Sequence, residues 1–247
     1  MKLIASLASI LALAACGDDA TVKPDAGAPS TFTARIRGPL AQSVDDSKAY
    51  HDQVAAKSEA AANAAGDFAH QVGLGTTDFG TLENEFLALD QWTDANGATQ
   101  FYASPDFQAG LDPLLSVPPD VQLFERHPEW TSWGEMGSGR LSSQPYWFVT
   151  IQGRLVDPDV AANQAKHDAI AGAAEAMARA AGDLAHLPHL AIGDDRVFFN
   201  VDVWSSEQSL VATFSDPNFR AGLLSLFESP PDVRVYASTD WHQWYQP

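Results

Sequence analysis

The stretch RVFFNVDVW, Arg196–Trp204, sets Asn200, Asp202 and Trp204 at every second position. On a strand those side chains share one face. Each of the three types can do distinct work in a site. An amide can donate to a developing oxyanion, an indole face can carry a flat ring, and a carboxylate can orient either. His189 stands on the strand before. If Asp194-Asp195 forms the turn between the two strands, Gly193 faces Arg196 and His189 falls opposite Asn200, placed to act as general base. His189, Asn200, Asp202 and Trp204 are therefore the candidate catalytic set. A second reading stays open, in which these groups only satisfy one another at an internal interface, because buried polar groups must be paired or used.

The elements that must position them occur twice. His51-Asp52 is matched by His167-Asp168, and AAGD–AH ending at His70 by AAGD–AH ending at His186. Asp90-Gln91-Trp92 is matched by Asp202-Val203-Trp204, and Pro118-Pro119-Asp120-Val121 by Pro230-Pro231-Asp232-Val233. EWTSW (Glu129–Trp133) stands where DWHQW (Asp240–Trp244) stands in the second stretch. The chain thus reads as an internal duplication, with repeats at 31–133 and 147–247 and a Gly- and Ser-rich linker at 134–146.

Each repeat gives the same order of periodic signals. Alternating TFTARIRG or WFVTIQG predicts a strand. An Ala-rich helix follows, over 46–65 or 159–181, each stopped by a glycine suited to the left-handed position. Two further strands come next, then a second helical region, which in repeat two opens on a Ser205/Gln208 capping pattern, and a last strand. The order βαββαβ is the ferredoxin-like unit, whose helices cover one sheet face only. Two fused copies can cover the other face by packing sheet against sheet. The expected fold class is α+β, an intramolecular dimeric α/β-barrel in a chain that supplies its own partner.

The repeated helix-ending Gly-Asp, the Asp-x-Trp closing the third strand and the DPxF element at Asp216–Phe219 resemble the dimeric α/β-barrel superfamily, nearest to the antibiotic-biosynthesis-monooxygenase type. The resemblance covers nearly all of 31–246. It implies that Asn200 and Trp204 correspond to the strand-borne Asn and Trp with which cofactor-independent members position an aromatic substrate. Oxygenation of an aromatic or quinol-like molecule would then need no cofactor. A non-catalytic protein that captures a small hydrophobic molecule is the competing class, and a scaffold with a filled barrel is the third.

Alternation assigns faces. Phe32, Ala34 and Ile36 belong under the helices, with Thr33, Arg35 and Arg37 inward; Phe148, Thr150 and Gln152 are the matching inward set. On the third strands, Leu87, Leu89, Val197, Phe199, Val201 and Val203 are expected under the helices. Phe86, Ala88, Asp90, Trp92, Phe198, Asn200, Asp202 and Trp204 are expected inside the barrel. Arg35, Arg37, Asp90 and Trp92 then form the candidate substrate-contacting set, with the arginines as charge partners for Asp90 or Asp202. His51 and His167 read as packing and hydrogen-bonding groups, and His70 and His186 as helix-side residues of the fold. The Trp130/Trp133 and Trp241/Trp244 pairs are expected over the barrel ends, or as an aromatic ligand mouth.

Other chemistries find little footing. His186-x-x-His189 sends its rings to opposite faces of a strand, and no metal site is expected. Asp94–Gly97 fails as a calcium loop at both anchor positions. The net charge of −18 disfavours nucleic acid. At the front, a basic start and an apolar run end in Leu13-Ala14-Ala15-Cys16, which resembles the lipobox of bacterial lipoproteins. Residues 1–15 are then the signal peptide, Cys16 the lipidated residue and 16–30 a flexible tether. Gly17 after the cysteine favours the outer membrane of the cell envelope.

Overall fold

The computed structural model describes residues 30–139 and 145–246. The signal peptide, Cys16, nearly all of the tether and the middle of the linker lie outside the described residues.

The first half runs β1 (Phe32–Pro39), α1 (Val44–Ala64), β2 (Asp67–Gly75), β3 (Glu85–Trp92), α2 (Ala95–Tyr102), α3 (Pro105–Leu111) and β4 (Asp120–Arg126). The second runs β5 (Trp147–Arg154), α4 (Val160–Ala181), β6 (Asp183–Ala191), β7 (Asp194–Trp204), α5 (Glu207–Ser215), α6 (Pro217–Leu224) and β8 (Asp232–Ser238), followed by a short β9 (Trp244–Tyr245). Gly66 and Gly182 both follow their helices at φ 106°, where a side chain would be strained.

Each expected second helix is a pair. Pro105 and Pro217 fit only a first helical turn, so the chain restarts there, capped by Ser104 and Asp216. The cap of α5 is Ser206, whose side chain accepts from the Ser209 amide. Ser205, expected in that role, instead donates to the Gly182 carbonyl.

The strands close into an eight-stranded antiparallel barrel, with order β4-β1-β3-β2 in one half and β8-β5-β7-β6 in the other. Two seams join the halves, β4 to β6 and β2 to β8, so no half keeps a free edge along the barrel. At the second seam Gly73 lies against Tyr236, and a Cβ there would sit 2.9 Å from the tyrosine's own. Only glycine lets the strands approach.

The faces of the first strands are as expected. Those of the third strands are inverted. Register sets Ala34 opposite Asp90, Ile36 opposite Ala88 and Ile151 opposite Asn200. Directly paired residues share a face. Phe86, Ala88, Asp90 and Trp92 therefore lie under the helices with Ala34 and Ile36, as do Phe198, Asn200, Asp202 and Trp204 with Val149 and Ile151. Leu87, Leu89, Phe199, Val201 and Val203 fill the space between the sheets, packed with Phe124, Phe148, Leu187 and Tyr236. Inside that packing the Arg35 guanidinium lies 6.0 Å from the centres of both Phe124 and Phe199 and bonds Asp120 and Gln152. Arg37 pairs with Asp120 and Asp232. The two arginines are thus consumed within the barrel and are not partners of Asp90 or Asp202.

Because the apolar inner faces exist only to cover each other, neither half should persist as a monomer. Residues 31–133 and 147–247 expressed apart should self-associate or aggregate, and should form a one-to-one complex when mixed. Size-exclusion chromatography with light scattering reads the outcome.

Candidate functional site

His189 does not join Asn200. The hairpin turns at Ile192-Gly193, with Gly193 at φ 86°, and a bulge follows Leu190. Pro188 therefore faces Asn200, and His189 faces Phe199. One residue of register sends a strand side chain to the other face. His189 lies wholly buried between the sheets, with Nε2 2.9 Å from the Thr33 hydroxyl. Burial, then the charge of Arg126, holds its pKa well below the ordinary histidine value. It cannot serve Asn200, Asp202 or Trp204.

The histidine that does meet them is His186. Its Nδ1 is 2.6 Å from Asp202 Oδ1, and Asn200 Nδ2 donates to the same oxygen at 2.7 Å. On its other side, His186 Nε2 lies 3.1 Å from Nε2 of His167 on α4, and His167 Nδ1 lies 3.0 Å from Asp168. The first half repeats the chain with His70 bonded to Asp90 at 2.6 Å, His51 to His70 at 3.1 Å and Asp52 to His51 at 3.2 Å. Each half thus carries an Asp–His–His–Asp chain. It runs from a sheltered carboxylate under the helices to one near the surface, with side-chain exposure of 6% for Asp202 and 31% for Asp168.

Three hydrogen bonds require three protons. Two neutral rings bring two N–H groups to these three contacts. Burial pushes the His51 pKa down to about 3 and lowers that of His167.

The tail of each half closes the site of the other. Trp133 bridges to His186 and stacks on it at 4.6 Å, while Trp130 packs on His167 at 5.1 Å. Trp244 and Trp241 do the same to His70 and His51, at 4.5 and 5.1 Å. Backbone amides hold these arms to the outer carboxylates, Thr131 to Asp168 and His242 to Asp52, both at 2.6 Å. The tryptophan pairs therefore cover the histidine chains and do not cap barrel ends.

A cavity adjoins each chain, between sheet and helices and not inside the barrel. One, with ≈ 580 Å³ of empty space partly open to solvent, is bordered by Trp133, His167, Asp183, His186, Asn200, Asp202 and Trp204. The other, of ≈ 550 Å³, borders His51, Asp67, His70, Asp90 and Trp244. The room for the centre of a water-sized sphere is only ≈ 50 Å³ in each, so a polycyclic guest would need side chains of the wall to move. Among the described residues no three His, Cys, Asp or Glu side chains are arranged to hold a metal ion.

The halves differ around the inner carboxylate. In the first, the Tyr102 hydroxyl donates to Asp90 at 2.6 Å and accepts from the Trp92 indole at 3.0 Å. In the second, Phe214 occupies the matching place in the chain, Asn200 replaces Ala88 as a partner to the carboxylate, and the Trp204 indole N–H and Asn200 Oδ1 are left buried without partners. Buried polar atoms left so are costly unless something else meets them.

Asp67 and Asp183 were not singled out as site residues by the sequence, nor were the four chain histidines given a role beyond packing, hydrogen bonding and the fold. The signal was present: His51-Asp52, Asp67–His70 and their copies recur at matching places. Burial, and then the charge of Asp90 or Asp202, pushes the pKa of Asp67 and Asp183 up to about 9.

The sequence matches no protein-family model and no curated protein. Among solved structures the chain resembles a protein from Lactobacillus acidophilus NCFM assigned as a monooxygenase, at TM-score 0.57 and 11% identity over 88% of this chain and 97% of that one. It resembles an anthrone oxidase-like protein at TM-score 0.59 and 13% identity, over 87% and 94% of the two chains. A chlorite dismutase variant from Candidatus Nitrospira defluvii gives 0.52 and 10%, over 86% and 92%. At such identities the likeness is one of fold, and the fold is the dimeric α/β-barrel.

A carboxyl group whose folded pKa is raised lends stability that is complete below its unfolded value near 4 and is lost as pH rises towards 9. Asparagine keeps the shape and carries no such dependence. The melting temperature of Asp67→Asn/Asp183→Asn, relative to the wild type, should therefore climb steadily between pH 5 and pH 9. A flat difference would show both carboxyls ionised throughout.

Proposed function

We propose that the cavity of the second half oxygenates a flat phenolic or anthrone-type molecule without a cofactor. One observation carries this reading: Asn200 Oδ1 and the Trp204 indole N–H are buried and unpartnered beside the His186–Asp202 pair, while the first half closes the same place with its own Tyr102. An acceptor and a donor left open at the wall fit a guest that brings oxygen. The anthrone oxidase-like fold neighbour supports the choice of test substrate.

In this mechanism Trp204 donates to the ring oxygen and Asp202 takes the acidic proton. Asp202 keeps that proton, held beside its bonds to His186 and Asn200, for return to the substrate. The substrate carbanion passes an electron to dioxygen, the two radicals combine in a carbon–oxygen bond, the peroxide anion takes the proton back from Asp202, and the hydroperoxide loses water to leave a carbonyl. Anthrone and one dioxygen thus give anthraquinone and one water.

The alternative is a protein that holds a small hydrophobic molecule in the same cavity and does no chemistry on it. On either reading we place the barrel at the cell envelope, tethered through a lipidated Cys16. Palmitate labelling that is lost in Cys16→Ala tests that placement.

Oxygen uptake with anthrone should fall at least tenfold in Asn200→Ala and His186→Ala, and less in Trp204→Phe, which keeps the ring and loses the donor. His189→Ala should leave uptake unchanged at a temperature where it remains folded. Quenching of tryptophan fluorescence by anthrone without oxygen uptake in the wild type would replace oxygenation by binding.

A further inference from the structure

We propose that Asp183, and Asp67 in the other half, are hydrogen-bond donors to a carbonyl oxygen on the molecule each cavity holds, so that an aromatic ketone is chosen over the hydrocarbon of the same shape. The inference rests on the cavities that carry the oxygenase reading, but not on any oxygen chemistry.

Backbone geometry supplies the first support. A register shift separates Asp183 from Ala185 on β6, and the same shift separates Asp67 from Ala69 on β2. Such bulges re-aim a side chain. Both carboxyls consequently border the cavities, although they lie at strand starts.

The second support is an unmet atom. Asp183 is 5% exposed, and its Oδ1 has no hydrogen-bond partner; the Trp133 indole lies against the group without reaching bonding geometry. Around it stand Asp202 on β7, His186 on β6 and Arg179 on α4, with Trp133 from the opposite arm. Around Asp67 stand Asp90 and Tyr102, His70 and the Trp244 indole, and its Oδ1 accepts from the Ala69 amide at 3.0 Å.

Two carboxyls sharing one sheltered wall do not both ionise. Asp202 has two donors, His186 and Asn200, and Asp90 has His70 and Tyr102. The donors of each wall are thus spent on Asp202 and Asp90, and the proton stays on Asp183 and Asp67. An ionised carboxylate can only accept; a protonated one donates. On a ketone whose oxygen gains charge as its neighbouring carbon is deprotonated, that donor strengthens as the charge develops.

Fluorenone and fluorene share a shape, do not titrate, and differ in the carbonyl. Quenching of tryptophan fluorescence measures both. The wild type should bind fluorenone about tenfold more tightly at pH 7, in line with one net hydrogen bond to a buried group. Asp67→Asn/Asp183→Asn, whose amides still donate, should keep the preference; Asp67→Ala/Asp183→Ala should lose it. At pH 10 the preference should shrink in the wild type and persist in the Asn pair, a comparison that stands even if the Ala pair fails to fold. Equal affinity for the two probes in the wild type, an undiminished preference in the Ala pair, a preference that the Asn pair loses, or binding of neither probe would overturn the proposal. Oxygen uptake with anthrone is read separately. Ketone preference without uptake discards oxygenation alone, and uptake without preference discards the donor alone.

Discussion

Helix, sheet and opposite arm meet in each half at a single hydrogen-bonded chain, and the geometry of the site follows from it. The inner carboxylate of Asp90 or Asp202 belongs to a central strand, its histidine to the neighbouring strand, the second histidine to the long helix, and the outer carboxylate holds the arm of the other half. Imidazoles can complete such a chain because each ring bonds through two nitrogens on opposite sides. Removing any member leaves two buried neighbours unmet, which is more costly than losing one contact. The chain also explains the orientation of the third strands. Asp90 and Asp202 must face the helices to reach it, and Phe86, Phe198 and the tryptophans are carried to that face with them.

Its inner end is satisfied in two ways. A helix-borne hydroxyl, Tyr102, completes Asp90, whereas a strand-borne amide, Asn200, completes Asp202. Both solutions serve the carboxylate. They differ in what remains. The tyrosine also engages the Trp92 indole and closes its wall, while the amide keeps its oxygen uncommitted and leaves Trp204 with a free N–H. The same framework therefore presents a closed polar wall on one side and an open one on the other.

The fold was legible because its evidence was redundant. Both long helices were read to within two residues at each end, since each signal appeared twice. The site was legible in composition but not in direction. Asn200, Asp202 and Trp204 do share a face, yet alternation alone does not say which side of a sheet that face meets. Here the polar residues were given the barrel interior, which the structure fills with Phe124, Phe148 and Phe199. His189 was misplaced by a bulge after Leu190, a departure of one residue that leaves no mark on periodicity. The pairing of register with the first strands could have flagged the error, because Ala34 and Asp90 cannot sit opposite one another and on different faces.

The exchange of arms has a consequence for how such a molecule can vary. In a dimer of identical chains, any substitution near a site appears in both sites at once, and so must suit both. A single chain lifts that restriction. Here the residues around His70 and those around His186 are separately encoded, and so are the arms that cover them. Each site is nevertheless completed by a segment distant in sequence, with Trp244 serving the first half and Trp133 the second. Heredity can therefore alter one pocket while holding the other constant, but it cannot separate either pocket from the opposite half of the chain.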